Sequence, residues 1–177
     1  YDLYVQKGVN ATVIDDIVKR AGVAKGTFYL YFQDKYDLLN QLILHKSADV
    51  IRHALRSVEE LKAQRKTDFK EEVFCFTDCL IDYFVQHKDM LQLIRKNLSK
   101  GLFTNSTVSD EQLKTAVDRF TENFMSRGES REEALQTLYI LVEMAGSVLC
   151  DAVVTGAPFS LEEIKPTLYR TIGKLLD

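Results

Sequence analysis

The 177-residue sequence has no tryptophan, only two prolines (Pro158 and Pro166), eight glycines and three cysteines. With so few helix breakers, long uninterrupted helices are the natural expectation. Cys75, Cys79 and Cys150 are odd in number and include no pair of Cys-x-x-Cys motifs. That usage sets aside a disulfide framework and a zinc ribbon, and it fits a reducing cytoplasm. No Glu-x-x-His pair, His-Glu-x-x-His, Gly-x-Ser-x-Gly or phosphate-cradling glycine loop occurs, so neither an enzyme nor a metal or cofactor site is expected. The most hydrophobic run, Leu138 to Val154, contains Glu143 and Asp151. It falls short of an uncharged stretch of roughly 18 apolar residues, so no membrane span is expected. Positive charge is not in excess either: 23 Lys and Arg stand against 26 Asp and Glu. That balance argues weakly against a chain coated in nucleic acid. The chain opens at Tyr1 without an initiator methionine, a signal-peptide pattern or a cap for its first helix, so further residues upstream are expected.

What is present is ordinary globular composition, 46% hydrophobic and 28% charged, patterned as helix throughout. The expected fold is all-α, with about nine helices. Leu3, Tyr4 and Val5 lead to Gly8, which suits the left-handed residue ending a short first helix. Thr12 reads as the N-cap of a second helix, with Asp15 completing an approximate capping box. Ile14, Ile17, Val18 and Ala21 form its buried stripe, and Gly22 stops it. A very short third helix covers roughly 24–31. Asp34 and Asp37 open a fourth that runs towards Leu61, followed by a polar connection, Lys62 to Asp68. Further helices are expected over Phe69 to His87, Lys88 to Leu98, Ser109 or Asp110 to Gly128, Ser130 to Thr155 and Leu161 to Leu176, with Gly101 to Ser109 as a loop. Ser130 and Glu133 have capping-box spacing.

The second and third helices, joined by a tight turn at Gly22, make a helix-turn-helix pattern, whose second helix enters the DNA major groove. Lys25, Gly26, Thr27, Tyr29 and Tyr31 avoid the apolar stripe of Val23, Phe28 and Phe32. Hydroxyls and a cation beside a glycine suit close approach to phosphates and base edges. Lys35 is a second clue, because a cation in the first turn of a helix opposes the macrodipole. A DNA phosphate at that helix start would explain it, and the same logic makes Thr12 a possible phosphate contact. Residues 1–45 are formally neutral, but residues 19–36 hold Lys19, Arg20, Lys25 and Lys35 against Asp34. A three-helix cluster with a glycine turn also occurs in proteins that never touch DNA.

The run Thr12-Val13-Ile14-Asp15-Asp16-Ile17, then Ala21 to Phe32, then Asp34-Lys35-Tyr36-Asp37-Leu38-Leu39, closely resembles the DNA-binding domain of the TetR/AcrR family of bacterial repressors. The resemblance covers about residues 1–45. It implies a homodimer on a palindromic operator, released when a ligand fills the C-terminal domain. Thr12, Lys25, Gly26, Thr27, Tyr29, Tyr31 and Lys35 match DNA-contacting positions of such proteins. Ala24 departs from the serine that commonly caps the recognition helix. The implied layout is a DNA-binding domain at 1–45 and an antiparallel helical bundle at 46–177 that senses the ligand and dimerises.

A sensor needs a cavity and a rigid contact that converts its filling into movement. Phe76, Cys79, Tyr83, His87, Leu91, Ile94, Phe120, Phe124, Tyr139, Glu143 and Met144 are candidate pocket residues, although such stripes also form plain core. Glu143 has no basic residue within one turn, so it could meet a cationic ligand, pair across a dimer or emerge at the surface. Ala145, Gly146, Leu149, Ala152, Ile164, Leu168, Ile172 and Leu175 are candidates for the dimer interface, since helices at these positions pair as a four-helix bundle in similar proteins. Cys75, Asp78, Cys79 and Asp82 share helical spacing, with His87 beyond, but free cysteines in an apolar stripe are usually small core hydrophobes. Alternative readings are a helical adaptor for another protein, or a redox sensor using Cys75 or Cys79. The expected partners are operator DNA, an unidentified small-molecule effector and a second copy of the chain.

Overall fold

The computed structural model describes residues 1–94 and 111–177, and every regular element among them is a helix. The chain divides into two compact units, Tyr1–Lys46 and Ser47–Asp177. The expected end of the helix before Leu98, the loop over Gly101 to Ser109 and the cap at Ser109 or Asp110 lie outside the described residues.

The first unit holds α1 (Asp2–Ala11), α2 (Ile14–Ala21), α3 (Lys25–Tyr31) and the start of α4 (Lys35–Gln64). Gly8 has the expected positive φ, 78° with ψ 161°. It kinks α1 rather than ending it, and the chain turns helically again to Ala11. The expected N-cap of α2 is corrected: Val13 occupies that position and no side chain caps the helix. Asp15 and Asp16 in the first turn and Lys19 and Arg20 in the last complement the helix dipole instead. Gly22 does stop α2, at φ 70° and ψ 27°, a left-handed conformation that other residues adopt only with strain. Behind it the Val23 N–H reaches back to Val18 O at 3.1 Å, closing the helix end. Asp34 caps α4 as expected, accepting from the N–H groups of Tyr36 and Asp37 at 2.7 and 2.8 Å.

The second unit contains the rest of α4, then α5 (Phe69–Gln86), α6 (Lys88–Ile94), α7 (Glu111–Met125), α8 (Arg131–Val154) and α9 (Leu161–Leu176). Three of these helices open with reciprocal capping boxes: Asp68 with Glu71, Ser130 with Glu133, and Ser160 with Glu163. Their registers are therefore set locally, before packing. Ile81 of α5, Phe120 and Phe124 of α7, Leu141 and Leu149 of α8, and Leu168 and Ile172 of α9 converge on one core. Each such side chain contributes roughly 1.5–3 kcal/mol by leaving water. Helix α8 packs against α6, α7 and α9. Its length and its mean hydropathy of 1.7 over the most apolar window would suit a membrane span by composition alone, although Glu143 and Asp151 lie within it.

Candidate nucleic-acid interface and cavity

Helix α3 is seven residues long and anchors itself through one fully buried side chain, Phe28. The Phe28 ring meets Tyr29 edge-on at 5.5 Å and Phe32 at 5.4 Å between centroids. The other side chains of the helix are turned largely to solvent: Tyr29 is 53%, Leu30 79% and Tyr31 71% exposed. Lys25 and Gly26 are exposed too, and Thr27 is half-buried. Lys25 forms an ion pair with Asp15 of α2 at 2.8 Å, and this hydrogen-bonded carboxylate raises the ammonium pKa. In water such a pair is weak, so the cation remains free to exchange Asp15 for a phosphate.

Two of the seven expected contacts are placed differently. Thr12 is completely buried, and its hydroxyl donates to Gly8 O at 2.8 Å and Leu3 O at 3.2 Å. It ties the end of α1 down and offers no surface to a phosphate. Lys35 turns its ammonium to three carbonyl oxygens, Val9 at 3.0 Å, Asn10 at 2.9 Å and Thr12 at 2.9 Å. An ammonium has three protons to donate, so this one is fully engaged. The cation that looks misplaced at the start of α4 is well placed at the end of α1, where orphan carbonyls and the negative end of the dipole meet it. Tyr4 adds to the brace: its buried hydroxyl donates to Lys35 O at 2.6 Å. Burial, helped by the charge of Asp34, pushes the Tyr4 phenol up to about 12. Leu30 is exposed as well, and an apolar side chain carries no sequence signal for that position.

With this geometry in view, the comparisons are informative. Residues 1–42 match the family model described as bacterial regulatory proteins, tetR family. Over residues 1–42 the chain is therefore similar to the TetR family. It is 36% identical over 98 residues to the HTH-type transcriptional regulator YvdT of Bacillus subtilis (strain 168), covering 53% of this chain and 46% of that protein. It is 27% identical over 120 residues to the HTH-type transcriptional regulator SAR2658 of Staphylococcus aureus (strain MRSA252), covering 68% and 62%. It is 42% identical over 40 residues to the HTH-type transcriptional regulator AcrR of Shigella flexneri, covering 23% and 19%. The matches therefore span less than two thirds of each relative's length. These likenesses are to DNA-binding regulators rather than to enzymes.

The second unit holds a partly open cavity of about 570 Å³. Its wall is mainly apolar, from Ile51 and Leu55 of α4, Val73, Phe76 and Phe84 of α5, Leu91 of α6, Phe120 of α7 and Leu141 of α8. One polar cluster on it is tightly paired. Glu72, only 7% exposed, accepts from the Arg119 guanidinium at 2.6 Å and from the Thr67 hydroxyl at 3.0 Å. Arg119 also reaches Glu59 at 3.3 Å. This guanidinium joins α4, α5 and α7, and it supplies the partner without which a buried carboxylate would be costly.

Of the expected pocket residues, Phe76, Leu91 and Phe120 line the cavity. The others do not. Phe124 lies in the core, stacked on Phe120 at 4.8 Å, and Met144 packs beside that core. Tyr83 and His87 pair with each other at 4.4 Å, and Cys79 is half-buried on α5. Tyr139 and Glu143 are exposed, and the side chain of Ile94 lies outside the described residues. The expected interface residues lie at several depths in the unit. Ala145, Gly146, Leu149 and Ile172 line the cavity, Ala152 and Leu168 are buried within the chain, and Ile164 and Leu175 are half-buried. Among the described residues of this unit the exposed large apolar side chains are Val85, Met125, Tyr139, Ile140 and Phe159; Tyr139 and Ile140 are neighbours on α8.

Among the described residues no three His, Cys, Asp or Glu side chains are grouped to hold a metal ion. Asp78 is occupied by Lys165 and by the Tyr169 hydroxyl, both at 2.6 Å. Burial, reinforced by Cys79, pushes the Cys75 thiol up, away from the thiolate that redox chemistry needs.

Proposed function

We propose that this chain is a ligand-responsive transcriptional repressor, binding a palindromic operator as a homodimer and releasing it when a small apolar or amphipathic molecule occupies the cavity. The observation that carries this reading is a pairing within one chain. A recognition helix standing in solvent is joined to a helical unit left hollow by about 570 Å³, the size range of small-molecule sites. Lys25, Gly26, Thr27, Tyr29 and Tyr31 are the proposed DNA-contacting residues, acting in a bacterial cytoplasm. The exposed Tyr139, Ile140 and Phe159 support a self-association surface on the outer face of α8 and the turn after it. A two-fold dimer sets half-sites about 34 Å apart, or a multiple of that.

The test uses the intact protein and DNA from upstream of its own coding region. Fluorescence anisotropy should show sequence-specific binding that weakens steeply with salt. Ile140→Arg should yield a monomer by light scattering and lose that binding. Ala145→Trp, which places an indole in the cavity, should keep DNA binding while abolishing uptake of the dye anilinonaphthalene sulfonate. Salt-insensitive binding, or a wild-type monomer at micromolar concentration, would sink the reading.

A further inference from the structure

The outermost ridge of α3 is formed by Gly26 and Leu30, a pair four residues apart and so on the same helix face. Each lies two residues from the buried Phe28, about 200° around the helix, which puts the ridge directly opposite the core. Leu30 is 79% exposed, more than any other large hydrophobic side chain among the described residues. Nothing in the fold explains an isobutyl group there. Gly26 is equally unexplained from within: its φ is not positive, and a Cβ added to it would meet nothing within 4 Å. Neither backbone geometry nor packing asks for glycine, which is a poorer helix former than alanine. Both residues have a reason only if something outside the chain comes close to this ridge.

We propose that Gly26 and Leu30 form the base-reading edge of the recognition helix, and that Leu30 reads the C5 methyl group of a thymine in each half-site. The inference rests on the DNA-binding reading given above and deepens it. Leucine has no hydrogen-bonding atom, so it gains nothing from the donors and acceptors on base edges. The thymine methyl is the apolar group that the major groove presents. Without a side chain at Gly26, the ridge is lowest one turn before Leu30, which lets the helix settle deep enough for its methyl groups to touch the base. Lys25, Tyr29 and Tyr31 flank this ridge with groups suited to phosphates and to base acceptors.

The experiment selects binding sites for the full-length protein from random duplex DNA, then replaces each preferred thymine in turn by uracil, which removes the methyl group alone. One thymine per half-site should lose about fourfold in affinity, the value of one buried methyl group. The Leu30→Ala protein, checked for an unchanged melting temperature, should bind thymine and uracil sites equally. Gly26→Val should weaken both alike. Uracil-insensitive binding by the wild type overturns the inference while leaving the regulator reading intact. So does a uracil effect that persists in Leu30→Ala. Absence of any sequence-specific binding by the wild type overturns both.

Discussion

The two units handle polar and apolar groups in opposite ways. In Tyr1–Lys46 a threonine hydroxyl and a lysine ammonium are turned inward onto backbone carbonyls, while two tyrosines and a leucine stand in solvent. In Ser47–Asp177 aromatic and aliphatic side chains are gathered inside around a hollow, and the buried carboxylate Glu72 is matched by Arg119. The first arrangement displays side chains at the expense of core, and polar braces replace the missing burial. The second has enough apolar surface to leave a space unfilled. The contrast predicts that the units depend on different forces, which selective substitutions can separate.

The largest effect should come from the second unit's core. Phe124 is 2% exposed and packs against both Phe120 and Phe69. Phe124→Ala should cost about 3–5 kcal/mol of stability in denaturant unfolding, from lost transfer energy and the void left behind. A loss below about 1 kcal/mol would mean that the site collapses, and that this unit is as loosely committed to its core as the first.

The next test concerns Lys35, which the structure moves from the DNA side of the comparison to the bracing side. Lys35→Met keeps the aliphatic stem and removes three charge-assisted hydrogen bonds to the end of α1. It should cost about 2 kcal/mol, given that the brace is partly exposed to water. Hydrogen exchange should show α1 amides losing protection first. The salt dependence of DNA binding should keep its slope, whereas Lys25→Ala should lower the slope by about one counterion and leave the melting temperature unchanged. If Lys35→Met lowers the slope and leaves α1 protected, the phosphate role belongs to Lys35 after all.

Why some of this was legible in sequence follows from where each signal resides. The helices, the stop at Gly22, the cap at Asp34 and the capping box at Ser130 are local, written in neighbouring residues. The helix-turn-helix was legible for the same reason. Thr12 misled because its partners, 4 and 9 residues back, lie on the preceding helix, and Lys35 because its partners are 23 to 26 residues away, whereas capping statistics see only the helix that follows. The pocket was legible only in part, at Phe76, Leu91 and Phe120, and for a different reason. Helix α8 is apolar on nearly every face, so periodicity cannot say which stripe looks inward. Tyr139 therefore looked like pocket when it is outside.

The smallest effect belongs to Tyr4, and its sign can be worked out. Burial, helped by the charge of Asp34, keeps the phenol protonated in the folded state and raises it from an ordinary value of 10.0 to about 12, while its hydroxyl donates to Lys35 O. A raised pKa contributes stability that is fully present below pH 10.0 and is lost as pH climbs through about 12. Tyr4→Phe removes the hydrogen bond and the titration together. It should cost about 1 kcal/mol at neutral pH. Urea unfolding of both proteins at stepped alkaline pH should then show their difference shrinking between pH 10 and about 12, as ionisation costs the wild type the same bond. A difference that stays constant across that range would mean the phenol is not held by this brace. The first unit would then rest on its few buried apolar groups, and the contrast with the second would narrow to one of size.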